Sequence, residues 1–109
     1  LCAERNIAFA AFSTDLVFDG RTNTPYVETH GPAPLGVYGA SFWAAERRVL
    51  ELLPHALVVR SGALFDAHDH EGFLSRSLRA IASGRLVAAP HDAVVSPTYA
   101  PDLVAATLD

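Results

Sequence analysis

Asn6-Ile7-Ala8-Phe9-Ala10-Ala11-Phe12-Ser13-Thr14-Asp15 is the stretch on which the fold turns. Its apolar part, Asn6 to Phe12, has the length of a buried strand, and it delivers polar residues at its carboxyl end. From Leu16 to His30 the chain carries Asp19-Gly20 and Pro25, with Gly31 just beyond, which predicts turns and loop. A long helix is predicted from about Pro34 to Leu53. Pro34 suits its first turn, Leu35, Tyr38, Phe42, Ala45, Val49 and Leu52 recur at three and four, and Pro54 closes it. Ala56 to Val59 reads as a second buried strand ending at Arg60-Ser61-Gly62, so strand, helix and strand make a parallel crossover unit.

Further on, an amphipathic helix is predicted from about Glu71 to Ser83, with Phe73, Leu74, Leu78 and Ile81 inward and Gly84 as its stop. Two short apolar runs, Leu86 to Ala89 and Ala93 to Val95, flank Pro90-His91-Asp92. A last helix starts near Thr98 or Pro101 and carries Leu103, Val104 and Leu108. The alternation argues for an α/β layer architecture, yet it supplies only two or three parallel strands, fewer than an open sheet normally has. No glycine-rich turn of the G-x-G-x-x-G type occurs, so the element that grips a dinucleotide is not among these residues.

The chain has 109 residues, half of them apolar, enough for one compact domain with a core. Eight basic residues against twelve acidic ones leave a net charge of -4, with no basic stripe to neutralise a phosphate backbone, which excludes nucleic acid as a partner. All the basic residues are arginines; there is no lysine. One cysteine, Cys2, can make no internal disulfide, which reads as cytosolic redox chemistry, and no apolar run approaches a membrane span. A cytoplasmic setting is expected. The absence of methionine, with the short supply of strands, is read as the mark of a piece of a longer protein.

The chemistry-bearing residues are Ser13-Thr14-Asp15 at a strand end and Tyr38 near the start of the following helix. Ligands of α/β sheets bind at that edge, where a hydroxyl facing a helical tyrosine forms a proton-transfer pair. The plain alternatives are a turn or cap for the first group and packing for the second. Taken together, Ser13-Thr14-Asp15-Leu16-Val17-Phe18-Asp19-Gly20, Pro25-Tyr26-Val27-Glu28 and Pro34-Leu35-Gly36-Val37-Tyr38-Gly39-Ala40-Ser41, with Glu46, resemble consecutive signatures of the dTDP-4-dehydrorhamnose reductase family of extended short-chain dehydrogenases. Val59-Arg60-Ser61 is similar to that family's strand end beneath the nicotinamide, and Ser96-Pro97-Thr98-Tyr99-Ala100-Pro101-Asp102-Leu103 to its late Ser-Pro-Thr motif.

The resemblance implies a partial Rossmann-like three-layer sandwich: the carboxyl-side half of the parallel sheet and part of the small substrate-binding region, over residues 1–109, without the N-terminal dinucleotide-binding strands. It implies hydride transfer from NADPH, or NADH, to the keto carbon of a nucleotide-linked deoxysugar, as in rhamnose biosynthesis. Tyr38 would be the proton donor and Thr14 would hydrogen-bond the same oxygen. Ser13, Arg60 and Ser61 would bind cofactor, and Asp15, Asp92, Ser96 and Thr98 would bind substrate. Thr98 has a second reading as the cap of the last helix. The partners implied are a nucleotide-sugar substrate and the N-terminal half of the same protein, with a homodimer left open.

In that family a lysine four residues after the tyrosine shares its helical face, favours tyrosinate and holds the nicotinamide ribose. Free tyrosine titrates near about 10, and each unit by which a cation lowers it corresponds to about 1.4 kcal/mol. Here the position is Phe42, which has no charge and no hydrogen bond to offer. Impaired reduction is therefore expected. The alternatives are a non-catalytic sugar-nucleotide or dinucleotide-binding relative with a regulatory role, and a sugar-nucleotide epimerase of the same superfamily. The late motif departs too, with Asp92-Ala93-Val94-Val95 before Ser96. Asp66-Ala67-His68-Asp69-His70-Glu71 packs metal-ligand types together, but a solvated loop leading into the next helix accounts for it and no metal is assigned.

Overall fold

The computed structural model describes residues 1–109 and divides into two compact units, Leu1–Ser61 and Gly62–Asp109. The first opens with a short helix, α1 (Cys2–Arg5), stopped by Asn6 in the left-handed region at φ 51°. An asparagine tolerates that conformation better than most side chains. Strand β1 (Ala10–Thr14) follows, then a single 3₁₀ turn (Asp15–Val17), helix α2 (Val37–Leu52) and strand β2 (Leu57–Ser61). β1 and β2 pair in parallel, Ala10 opposite Leu57 through to Thr14 opposite Ser61, and α2 connects them. The expected crossover unit is present.

Its boundaries are shifted in one direction. The strand read as Asn6 to Phe12 starts at Ala10 because Asn6 is spent on stopping α1, and it runs on through Ser13 and Thr14. The second strand likewise continues through Arg60 and Ser61. In both cases the ladder hydrogen bonds extend beyond the apolar run, so the polar residues are the last rungs of the sheet. Helix α2 begins at Val37 with Gly36 as its N-cap, so Pro34 and Leu35 precede it.

The inward face of α2 keeps Phe42 and Val49 of the expected stripe but takes Gly39 and Glu46 in place of Tyr38 and Ala45. Gly39 and Glu46 are its buried residues, with Phe42, Trp43 and Val49 half-buried, while Tyr38, Ala45 and Leu52 face solvent. Gly39 explains the rotation. A Cβ built there would lie 2.0 Å from the Leu16 carbonyl oxygen, so the helix backbone rests directly on the 3₁₀ turn, a fit open only to glycine. Beneath it Val17 is fully buried, and its carbonyl accepts a bond from the Ala33 N–H at 2.9 Å.

The second unit holds β3 (Leu64–Phe65), α3 (Phe73–Ala82), β4 (Thr98–Tyr99) and α4 (Ala100–Leu108), with β3 and β4 in parallel. Gly84, at φ 70°, ends α3 as expected: its N–H reaches the Ile81 carbonyl and the Arg85 N–H that of Ala80. Phe73, Leu74, Leu78 and Ile81, expected to point inward, are all exposed, because two-residue strands give this unit too little sheet to cover a helix face. Leu86 to Ala89 and Ala93 to Val95 form no regular element. No helix is long and apolar enough to cross a membrane.

Candidate active site

The carboxyl ends of β1 and β2 bring together Ser13, Thr14, Arg60 and Ser61, with Ser13 opposite Arg60 and Thr14 opposite Ser61. Side chains alternate along a strand, so each pair presents to its own face. Thr14 Oγ1 accepts the Leu16 N–H at 3.2 Å, which caps the 3₁₀ turn, and its hydroxyl lies 3.3 Å from Asp15 Oδ1. Beside that cap Thr14 stays partly accessible. Asp15 is exposed beside it.

Tyr38 occupies the first turn of α2, one residue before Gly39, whose backbone sits on Leu16 two residues past Thr14. The two expected partners thus flank one backbone-to-backbone contact. The Tyr38 side chain is 58% exposed and its hydroxyl makes no hydrogen bond within the chain. One turn on, Phe42 tilts against it, ring centroids 4.8 Å apart. Where a lysine would bring a cation to the tyrosine, this chain brings an aromatic edge.

Beneath this surface is a cluster that the residue pattern did not assign. Glu46 is 4% exposed and Ser13 8%. Ser13 Oγ donates to Glu46 Oε1 at 2.5 Å, while Arg60 Nε reaches Oε1 at 3.0 Å and Nη2 reaches Oε2 at 2.6 Å. Burial pushes the Glu46 carboxyl up, but the Arg60 hydrogen bonds, the Ser13 hydroxyl and the Arg60 charge together hold it below its ordinary value. The guanidinium also stands 5.0 Å from the Phe18 ring centroid and 6.0 Å from that of Trp43. Phe18 stacks on Tyr26 at 4.1 Å, and Tyr26 Oη donates to Asp19 Oδ1 at 2.7 Å. That bond, foremost, and the Arg21 N–H hold the Asp19 carboxyl low. The signal available in the sequence was Glu46 alone, as part of the family resemblance; the apolar periodicity left it off the inward stripe, and its partner could be named only from the strand register.

Asp92, Ser96 and Thr98 belong to the second unit. Asp92 and Ser96 are exposed, and Thr98 is a rung of β4, its N–H bonded to the Ala63 carbonyl at 2.8 Å. The capping reading of Thr98 is overturned, since the N-cap of α4 is Tyr99 and no side chain caps it. In the Asp66 to Glu71 loop the carboxylates serve turns: Asp66 Oδ1 takes the His68 N–H at 2.6 Å, and Asp69 Oδ1 takes that of Gly72 at 2.8 Å.

The model of the RmlD substrate binding domain matches residues 1–109. The chain belongs to this family. It is 36% identical to dTDP-4-dehydrorhamnose reductase of Mycobacterium tuberculosis over 98% of its own length and 36% of that enzyme. It is 34% identical to dTDP-4-keto-6-deoxy-D-glucose reductase of Streptomyces niveus over 94% of its length and 36% of that protein. The crystal structure of dTDP-4-dehydrorhamnose reductase from Bacillus anthracis in complex with NADP superposes with a TM-score of 0.90 at 31% identity, covering 98% of this chain and 38% of that one. The chain therefore spans little more than a third of these RmlD relatives, and its mixed α/β fold with parallel strands is that of the matched part of the Bacillus enzyme.

Proposed function

We propose that this chain supplies the proton-donating and sugar-binding portion of an NADPH-dependent reductase of nucleotide-linked 4-keto-6-deoxy sugars, its turnover weakened by Phe42. The observation that carries this reading is the seating of the first turn of α2, with Tyr38, on the turn that follows Thr14. The hydroxyls of Thr14 and Ser61, neighbours in register, suit the nicotinamide end of such a cofactor. The ribose contact that a lysine provides has no counterpart in Phe42. Bound cofactor supplies the hydride. The Tyr38 hydroxyl gives its proton to the oxygen of the reduced carbon, and Thr14 Oγ1 hydrogen-bonds that oxygen as negative charge develops on it. Asp15, exposed beside Thr14, contributes a contact to the nucleotide sugar. Ser13 Oγ and the Nε and Nη2 of Arg60 donate to Glu46, so these two residues also hold the strand ends, while Arg60 Nη1 remains free of that carboxylate for the cofactor.

In the full-length protein, Tyr38→Phe is expected to lower reduction of a dTDP-4-keto-6-deoxy sugar by about 10²- to 10⁴-fold while leaving NADPH affinity unchanged by calorimetry. Equal turnover in the two proteins would remove Tyr38 from the reaction. The packing of Phe42 on Tyr38 favours one other reading, a binding subunit without turnover. NADPH binding with no oxidation, in wild type and Phe42→Lys alike, is the result that selects it.

A further inference from the structure

The Glu46 cluster lies outside the groups given a chemical role above, and it joins three elements at one carboxylate. We infer that Glu46 is a positioning residue, which sets Tyr38 against Thr14 by clamping α2 to the ends of both strands. The inference rests on the reading of Tyr38 and Thr14 as the working pair.

Tyr38, Phe42 and Glu46 follow one another at four-residue intervals along α2, so they form one row down the helix, the carboxylate about 12 Å from the tyrosine along the axis. The Glu46 oxygens are taken up by Ser13 Oγ, Arg60 Nε and Arg60 Nη2. Ser13 and Arg60 are opposite one another in the ladder, and each immediately precedes a strand-end hydroxyl, Thr14 and Ser61. One side chain of the helix is therefore tied to both strands, one rung from the chemistry. Apolar contacts are non-directional and let a helix slide or roll by fractions of an ångström. A two-point fork of guanidinium on carboxylate does not, because both N–H bonds must stay aligned. The other fixed point of α2 is Gly39 on Leu16, in the turn that carries Tyr38. Two anchors on one helix fix its rotation as well as its distance. A carboxylate buried this deeply also enforces its own geometry, since any withdrawal from Arg60 leaves a charge without a partner. Trp43 shares the helix and faces the same guanidinium, so it reports on whether the clamp is closed.

The test uses the full-length protein with Glu46→Gln, which removes the charge at constant size, and Glu46→Asp, which keeps the charge on a shorter stem. A displacement of about 1 Å at a reacting pair costs about 100-fold, so Glu46→Gln is expected to lower kcat by that order while the sugar KM changes little, with partial recovery in Glu46→Asp. The deciding arm is the double variant. In a Tyr38→Phe background Glu46→Gln is expected to have no further effect, because it acts through Tyr38. An equal loss with and without Tyr38 would overturn the proposal. Trp43 emission, taken as the difference from matching Trp43→Phe proteins, is expected to shift in Glu46→Gln and to stay put in Tyr38→Phe. Unmoved emission in Glu46→Gln overturns the clamp whatever the turnover, whereas failure of Tyr38→Phe alone to reduce turnover strikes the proposed reaction and leaves the clamp standing.

Discussion

Glu46 keeps its charge while almost wholly buried because its two oxygens face three donors, and that arrangement makes the protein sensitive to acid. Its folded-state value lies below the ordinary 4.5, so the ionised form favours the folded chain. The sign follows directly: this contribution is fully present above the unfolded value and is lost as pH falls through the depressed folded one. The urea midpoint is therefore expected to drop on acidification below about 4.5. In Arg60→Met the midpoint falls already at neutral pH, since removing one partner of a buried pair costs about 3–5 kcal/mol. An Arg60→Met protein as stable as wild type would show that the pair contributes nothing. Tyr38 and Phe42 are legible residue by residue, because their offset of four places them on one face of any helix. Arg60 was legible only as a strand-end residue. That it turns onto Glu46 depends on which strand face it occupies, and the apolar run, stopping short of it, left that undecided.

At the scale of the elements, strand, helix and strand could be read from periodicity, but the roll of α2 could not. Counting apolar residues put Tyr38 and Ala45 inward; the structure buries their successors Gly39 and Glu46 instead. Neither carries hydrophobic weight in a periodicity count. One is inside because it lacks a side chain where backbone meets backbone, the other because an arginine waits for it. Gly39→Ala is accordingly expected to lift the first turn of α2 off Leu16, since a Cβ 2.0 Å from a carbonyl oxygen cannot be absorbed by a side-chain movement. The expected result is a loss of stability of roughly 1–3 kcal/mol, as overpacking generally costs, read from the urea midpoint. Undiminished stability and turnover would mean the helix is not seated by this contact.

For the molecule as a whole, family membership and fold rest on a match over residues 1–109 and on the superposition with the Bacillus anthracis reductase. At the position four residues after Tyr38 the chain carries Phe42, and it has no lysine anywhere. Its α/β order was legible because parallel strands read as apolar runs, although the two strands expected to be buried are not, with Phe12 and Leu57 exposed; the two short strands Leu64–Phe65 and Thr98–Tyr99 were not legible, since two residues have no periodicity. The proposed reductase chemistry at Tyr38, weakened by the missing cation at Phe42, is decided by the NADPH oxidation rate of the full-length protein with a dTDP-4-keto-6-deoxy sugar, wild type against Phe42→Lys. The rate is expected to rise in Phe42→Lys, by about tenfold for each unit by which the new cation lowers the tyrosine; an unchanged rate would contradict it.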